Sequence, residues 1–232
     1  MVNIKLSTLV FKGLSWSFAC RIVSNLSQLF IYFILARILQ PAEFGVMALL
    51  AVFINISNLF ATAGLGSANI QSQSASVERF STLFYLALAL SAVIYLFIYL
   101  LAPYLGEFLD VSDEFVSLLR IYGVTILFTV VSTMQISELS KNLEFEKIFY
   151  CSTIPSVISG VISVFLAYSG FGIYALIANV GIARLLSILF YSYYYPPFPR
   201  LFFSFKIAKK SAFYSGNLFF ISLLDEIYRS SI

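Results

Sequence analysis

The chain consists mainly of long apolar runs separated by short polar breaks. A helix needs about 20 predominantly apolar residues to cross a bilayer, and six runs reach that length, at about 14–36, 44–66, 80–105, 116–137, 148–169 and 172–195. These runs lack the two-residue period of a half-buried strand, so helices are predicted. The pattern predicts an all-α, polytopic integral membrane helical bundle, with residues 1–211 as a six-helix N-terminal lobe. A further apolar stretch, residues 212–232, is expected to be the start of a seventh membrane helix.

The composition agrees with this prediction and excludes several other classes of protein. Of the 232 residues, 60% are hydrophobic and 11% are charged, whereas a soluble domain carries about 25% charged residues and a disordered chain is poor in apolar ones. The sequence has no histidine and only two cysteines, Cys20 and Cys151. An imidazole catalyst, a disulfide framework and a zinc site are therefore excluded. No metal site and no cofactor are predicted.

Basic residues lie almost entirely on one side of the predicted membrane helices. One side holds Lys5, Lys12, Arg79, Lys141, Lys147, Arg200, Lys206, Lys209 and Lys210, and the opposite side holds Arg37. Since short loops rich in Lys and Arg stay in the cytoplasm, we expect a multi-pass protein with a cytoplasmic N-terminus. The net charge of +3 is small and scattered, so membrane lipid is an expected partner and nucleic acid is not.

Two arginines are predicted at membrane depth, where a charge costs at least about 2.5–3.5 kcal/mol and needs a functional reason. Arg184 lies near the middle of the sixth run, roughly 16 Å from either end, and Arg21 lies about 10 Å inside the first. Arg120 is close enough to the end of its run for the side chain to reach the interface. We therefore expect Arg184 to face the protein interior or a hydrated cavity, and Arg21 is the second candidate.

Polar residues also recur on one face of the first and second predicted helices. The spacing is i, i+4, i+8, i+11 for Ser17, Arg21, Asn25 and Gln28, and i, i+3, i+7 for Asn55, Asn58 and Thr62. Two such faces predict a hydrated lumen between these helices; the alternative is hydrogen bonding between helices that only stabilises the bundle. A stripe of small residues in the fifth helix, from Ser152 to Ser163, is expected to allow close helix packing.

These residues favour the binding of an anionic substrate over catalysis. An arginine presents a planar fork of donors that suits phosphate. Within the predicted bounds, no carboxylate lies inside the first six helices, so the sequence predicts neither a proton relay nor a pair of catalytic acids. We expect a transporter rather than an enzyme, with no catalytic residues. A coupling ion, H⁺ or Na⁺, is not specified by the sequence.

Several short segments, spread over essentially the whole chain, resemble one family. They are Lys12 to Ser17 with Arg21, Ala36 to Gly45 at the turn between the first two helices, Gly64 to Gln71, Leu139 to Lys147, Gly170 to Leu176, and Pro197 to Phe205. In this order and spacing they resemble the bacterial polysaccharide flippases, the Wzx-like O-antigen and capsule exporters of the MOP superfamily. Glu144 and Glu146 make one of these segments less basic than the family pattern.

The resemblance implies a transporter of two six-helix lobes in the bacterial cytoplasmic (inner) membrane, which works by alternating access. Its substrate would be a polyprenyl-diphosphate-linked oligosaccharide repeat unit for O-antigen, capsule or exopolysaccharide biosynthesis, and other polysaccharide assembly proteins would be its partners. By the same resemblance Arg21 binds the diphosphate, whereas Arg184 is added on depth alone. The cavity that accepts the sugar would be lined by Asn25, Gln28, Asn55 and Asn58.

The length, set against this resemblance, implies one lobe and the beginning of a second, so we expect a truncated form or a half that pairs with another half. Three alternatives stay open. A multidrug or cation exporter of the same superfamily is expected to need carboxylates in this lobe. A membrane glycosyltransferase or polymerase is expected to need catalytic acids or a large loop outside the membrane. The third alternative is a non-transporting remnant or an assembly partner.

Overall fold

The computed structural model describes residues 2–62, 65–70, 76–194, 199, 202–205 and 207–209. The helices in this part of the chain are α1 (Val2–Ile38), α2 (Pro41–Thr62), α3 (Leu65–Ile70), α4 (Val77–Phe108), α5 (Asp113–Gly123), α6 (Thr125–Lys141), α7 (Phe145–Tyr168) and α8 (Ile173–Tyr194). The predicted all-α fold is confirmed. The predicted seventh helix, residues 212–232, lies outside the described residues.

Six segments of the described chain are long and apolar enough to cross a membrane. They are Arg21–Ile38, Pro41–Ser67, Val77–Phe108, Asp113–Lys141, Phe145–Tyr168 and Ile173–Tyr194. Each overlaps one of the six predicted runs, so the predicted polytopic membrane protein is confirmed. Large apolar side chains remain exposed on these segments, for example Phe97 at 64% and Val161 at 66%, as expected for helices that contact lipid.

The fourth spanning segment is two helices rather than the single continuous helix predicted at 116–137. α5 ends at Gly123 and α6 begins at Thr125. The hydroxyl of Thr125 donates to the carbonyl of Tyr122 at 2.6 Å. This bond satisfies a backbone acceptor beside the point where the regular helical ladder is interrupted. Apolar length predicts the span but carries no information about this interruption.

The chain divides into two compact units, each built from separate stretches of sequence. The first comprises residues 1–51 and 139–195, and the second residues 52–138 and 196–232. In the first unit α7 packs against both α1 and α8, and in the second α4 contacts α3 and α5. The predicted boundary at residue 211 lies outside the described residues.

The small residues of α7 allow close packing in the first unit, as their spacing predicts. Gly160 is buried, and a Cβ at this position would collide with the side chain of Ile31 on α1. On the other side, the hydroxyl of Ser163 donates to the carbonyl of Ala175 on α8 at 2.7 Å. α7 is therefore held against α1 by complementary shape and against α8 by a hydrogen bond.

The turn between α1 and α2 ends in a helix cap. The backbone N–H of Gln40 donates to Oε2 of Glu43 at 2.7 Å. Gln40 immediately precedes α2 and Glu43 is the third residue of α2, so this bond satisfies the backbone N–H of the N-cap residue. Gly172 has φ +54, and a Cβ there would collide with Oε1 of Glu43. Two of the segments that carry the family resemblance, Ala36 to Gly45 and Gly170 to Leu176, therefore contact each other.

Candidate functional site

Three helices of the first unit line an open polar cavity of about 400 Å³. Its lining residues repeat at helical spacing on each helix, so that one face of each is turned to the cavity. They are Ser24, Asn25 and Gln28 of α1, Ser152 and Ser156 of α7, and Asn179, Val180, Ala183, Arg184 and Ser187 of α8. Eight of these ten residues are polar, although they belong to helices that otherwise expose apolar side chains. This polar cavity is the candidate site.

The polar cavity extends from the first turns of the spanning segment of α1 to the middle of α7 and α8. Arg184 is the twelfth residue of α8, and Ser156 is the twelfth residue of α7; each is about 16 Å from the start of its helix. Asn25 and Gln28 lie four and seven residues beyond Arg21, where the spanning segment of α1 begins. Since Asn25 and Arg184 are both exposed, a ligand can reach polar groups at membrane depth.

Arg184 supplies the positive charge of the polar cavity. Among the described residues its guanidinium makes no ion pair or hydrogen bond, and the described lining contains no carboxylate. Arg120 offers a contrast, because its Nε donates to the carbonyl of Tyr99 at 3.3 Å and its guanidinium carbon lies 4.4 Å from the centroid of that ring. No described residue occupies the donors of Arg184, and the geometry of a guanidinium suits bidentate binding of carboxylate or phosphate groups.

The other polar groups of the cavity are amides and hydroxyls, and two side-chain contacts that join α7 to its neighbouring helices here are long. The hydroxyl of Ser156 lies 3.5 Å from Oε1 of Gln28. The hydroxyl of Ser159, behind the lining, lies 3.4 Å from Oδ1 of Asn179. Both distances are at the long limit of a hydrogen bond. Because amides and hydroxyls donate and accept, this set of groups matches the hydroxyl groups of a sugar.

Three of the six predicted site residues line the polar cavity. Arg184, Asn25 and Gln28 come together there. Arg21 lies one helical turn before Asn25 on α1; it is exposed and is not among the lining residues. Its predicted contact with a diphosphate stays a prediction.

The other two predicted site residues, Asn55 and Asn58, lie on α2 in the second unit. Asn55 is exposed; Asn58 is half-buried, and its Oδ1 is shielded from solvent without a hydrogen-bond partner in the described part of the chain. A separate cavity of about 460 Å³ in this unit is lined by apolar residues of α2 and α4 and by Ser57, but by neither asparagine. The hydroxyl of Ser57 donates to the carbonyl of Phe53 at 2.6 Å. The predicted contact of Asn55 and Asn58 with substrate also stays a prediction.

A second polar cluster, in the second unit, joins α3 to α6. The buried Asn69 donates through Nδ2 to Oγ of Ser137 at 3.0 Å and to Oε2 of Glu138 at 2.9 Å. The fourth spanning segment runs from Asp113 to Lys141, so it includes Glu138 near its end, as well as Asp113 and Glu114 at its start, all outside the predicted bounds. The groups satisfy one another, so we assign this cluster to helix packing.

Sequence reasoning missed the lining residues Ser24, Ser187 and Asn179. It also interpreted the serines of α7 as packing residues, whereas Ser152 and Ser156 line the polar cavity. A signal for the α8 residues was present, because positions 179, 183 and 187 follow the i, i+4, i+8 spacing beside Arg184. Position 183 in this series is an alanine, so the series is not a continuous polar stripe.

The fold is that of a multi-pass membrane protein. Comparison with known protein families shows which family the chain belongs to. A family model described as "Polysaccharide biosynthesis protein" matches residues 34–232. The chain belongs to this polysaccharide biosynthesis protein family. The resemblance to polysaccharide transporters is thereby confirmed.

Two curated relatives are similar to the chain. The succinoglycan biosynthesis transport protein ExoT of Rhizobium meliloti (strain 1021) is 32% identical over 155 residues, which cover 67% of this chain and 31% of the relative. An uncharacterized membrane protein in the cps region of Klebsiella pneumoniae is 25% identical over 243 residues, which cover 99% of this chain and 47% of the relative. The chain spans less than half the length of either. No solved structure matches it.

Proposed function

We propose that the chain is part of a transporter that moves polyprenyl-diphosphate-linked oligosaccharide repeat units across the bacterial cytoplasmic membrane. The units would serve O-antigen, capsule or exopolysaccharide biosynthesis. The observation that carries the proposal is the polar cavity with Arg184 at mid-membrane depth. An arginine there costs at least about 2.5–3.5 kcal/mol, and an anionic ligand is a functional reason for that cost.

The groups of the polar cavity suit the two chemical parts of such a substrate. Arg184 would bind the diphosphate, because charge-assisted hydrogen bonds from guanidinium to phosphate are strong and directional. Asn25 and Gln28, with the neighbouring serines, would bind hydroxyl groups of the sugar. The family and the relative named a transport protein support this assignment of substrate and activity.

The proposed orientation has the N-terminus in the cytoplasm, because the basic loops predict that side. Single cysteines at Ser112 and Asn142, in a background without Cys20 and Cys151, test it. In intact spheroplasts an impermeant maleimide should label Ser112→Cys, and it should label Asn142→Cys only after lysis. Both positions are exposed, so the opposite labelling pattern would reject the orientation.

Deletion of the chromosomal gene tests the proposed activity. We expect surface polysaccharide to fall at least about tenfold, while complete lipid-linked repeat units accumulate in the cytoplasmic membrane. Loss of a glycosyltransferase would leave the repeat units incomplete, and loss of a polymerase would leave single units on the outer side. Normal surface polysaccharide, or incomplete units, in the deletion strain would exclude a role in translocation.

A further inference from the structure

Asn179 is the most deeply buried polar residue of the cavity lining on α8. Its side chain is 1% exposed, yet it lines the polar cavity. Its Nδ2 is shielded from solvent and has no hydrogen-bond partner among the described residues. Most buried polar groups in proteins are paired, so an unpaired amide at a cavity wall needs an explanation.

The acceptor end of the same amide is also poorly satisfied. Its contact is the hydroxyl of Ser159, which lies 3.4 Å from Oδ1. The same hydroxyl lies 2.9 Å from the carbonyl oxygen of Ser156. A hydroxyl has one proton to donate, and the shorter distance favours the carbonyl. Asn179 therefore has both a donor and an acceptor that the described protein does not fully use.

The chemistry of this amide distinguishes between the two parts of the proposed substrate. A phosphate oxygen accepts hydrogen bonds and at neutral pH does not donate one, so it would satisfy Nδ2 alone. A sugar hydroxyl both donates and accepts, and it can satisfy both ends of the amide. Asn179 lies five residues before Arg184, or about 7.5 Å along the helix axis. This spacing leaves room for a diphosphate at Arg184 and a sugar ring at Asn179.

We infer that Asn179 is a specificity-determining residue that binds a hydroxyl group of the glycan, whereas Arg184 binds the carrier diphosphate. The inference rests on the proposed function. A buried amide without a partner carries a desolvation cost, and a hydroxyl group of the ligand would complete its hydrogen bonds. An unpaired group of this kind discriminates strongly, because a ligand without the matching hydroxyl leaves it unpaired.

The test is a binding measurement with the purified full-length protein and two probes. One probe is bare polyprenyl diphosphate, and the other is polyprenyl diphosphate that carries the oligosaccharide of the producing strain. Asn179→Leu should weaken binding of the glycosylated lipid about tenfold and leave binding of the bare lipid unchanged. Arg184→Ala should weaken binding of both probes, because both contain the diphosphate.

Stability without ligand provides a second readout. Replacement of a buried, unpaired amide by an apolar group of similar size removes a desolvation penalty, so Asn179→Leu should keep or raise the Tm while it lowers affinity. Thr153→Val is the matched control: Thr153 is buried on α7, its Oγ1 has no partner among the described residues, and it does not line the polar cavity. It should leave binding of both probes unchanged.

The outcomes separate the inference from the proposed function. If the wild-type protein binds neither probe, the proposed function fails and the inference fails with it. If the wild type binds both, but Asn179→Leu binds the glycosylated lipid normally or loses both probes equally, the inference alone is overturned. Should Asn179→Leu fail to fold, Asn179→Ala gives the same comparison, because it removes the amide without adding bulk.

Discussion

Replacement of Arg184 by alanine is expected to lower polysaccharide export roughly ten- to hundredfold without unfolding the protein. A hydrogen bond to a charged group contributes about 1.5–3 kcal/mol, and each 1.4 kcal/mol is a factor of ten in binding. The guanidinium lines the polar cavity and has no partner among the described residues, so its loss breaks no described hydrogen bond or ion pair. Surface polysaccharide and the amount of folded protein in the membrane are the two measurements.

Three further variants test whether the lower export results from the loss of the guanidinium of Arg184 in the polar cavity. Arg184→Lys should be intermediate, because lysine keeps the charge and loses the planar fork. Arg120→Ala is the control: it removes another arginine of a spanning segment, one that contacts Tyr99 and lies outside the polar cavity, and should leave export close to normal. Arg21→Ala should have a smaller effect than Arg184→Ala, since Arg21 does not line the cavity. Normal export when Arg21 and Arg184 are both replaced would show that the proposed site is wrong.

The spans could be predicted from the sequence because the bilayer imposes a simple requirement. A helix that crosses it needs about 20 apolar residues and satisfies its own backbone hydrogen bonds, so apolar length alone finds all six segments. The interruption between α5 and α6 is a feature of local backbone geometry, and the hydrogen bond between Glu138 and Asn69 on α3 is a tertiary contact. Neither follows from hydropathy.

The candidate site could be predicted only in part, because it depends on which helices pack against each other. Depth identified Arg184, and helical spacing identified Asn25 and Gln28 on one face of α1. A single sequence shows which face of a helix is polar and does not show which helix that face meets. The polar face of α1 was therefore predicted to meet α2, whereas in the first unit it lines the polar cavity with α7 and α8. Asn179 was missed because a single amide in an apolar helix is a weak signal until its burial is known.

Replacement of Ser156 by tryptophan is expected to reduce export to less than about a tenth while the protein stays folded. Ser156 is half-buried in the middle of α7 and lines the polar cavity beside Gln28. An indole at this position would project into the space of about 400 Å³ between α1, α7 and α8 and would obstruct the binding of a sugar or diphosphate there. Because the added group occupies a cavity rather than a packed core, it avoids the overpacking that costs about 1–3 kcal/mol elsewhere.

Val161→Trp is the matched control for Ser156→Trp. Val161 is on the same helix, five residues further on, and is 66% exposed in the apolar surface of α7, where the membrane tolerates a tryptophan. Export should stay near the wild-type level in this variant, and the thermal unfolding temperatures of the two variants should be similar. If Ser156→Trp exports normally, the substrate does not pass through the polar cavity. If both variants lose export equally, the effect belongs to α7 as a whole and the assignment of the cavity to the substrate fails.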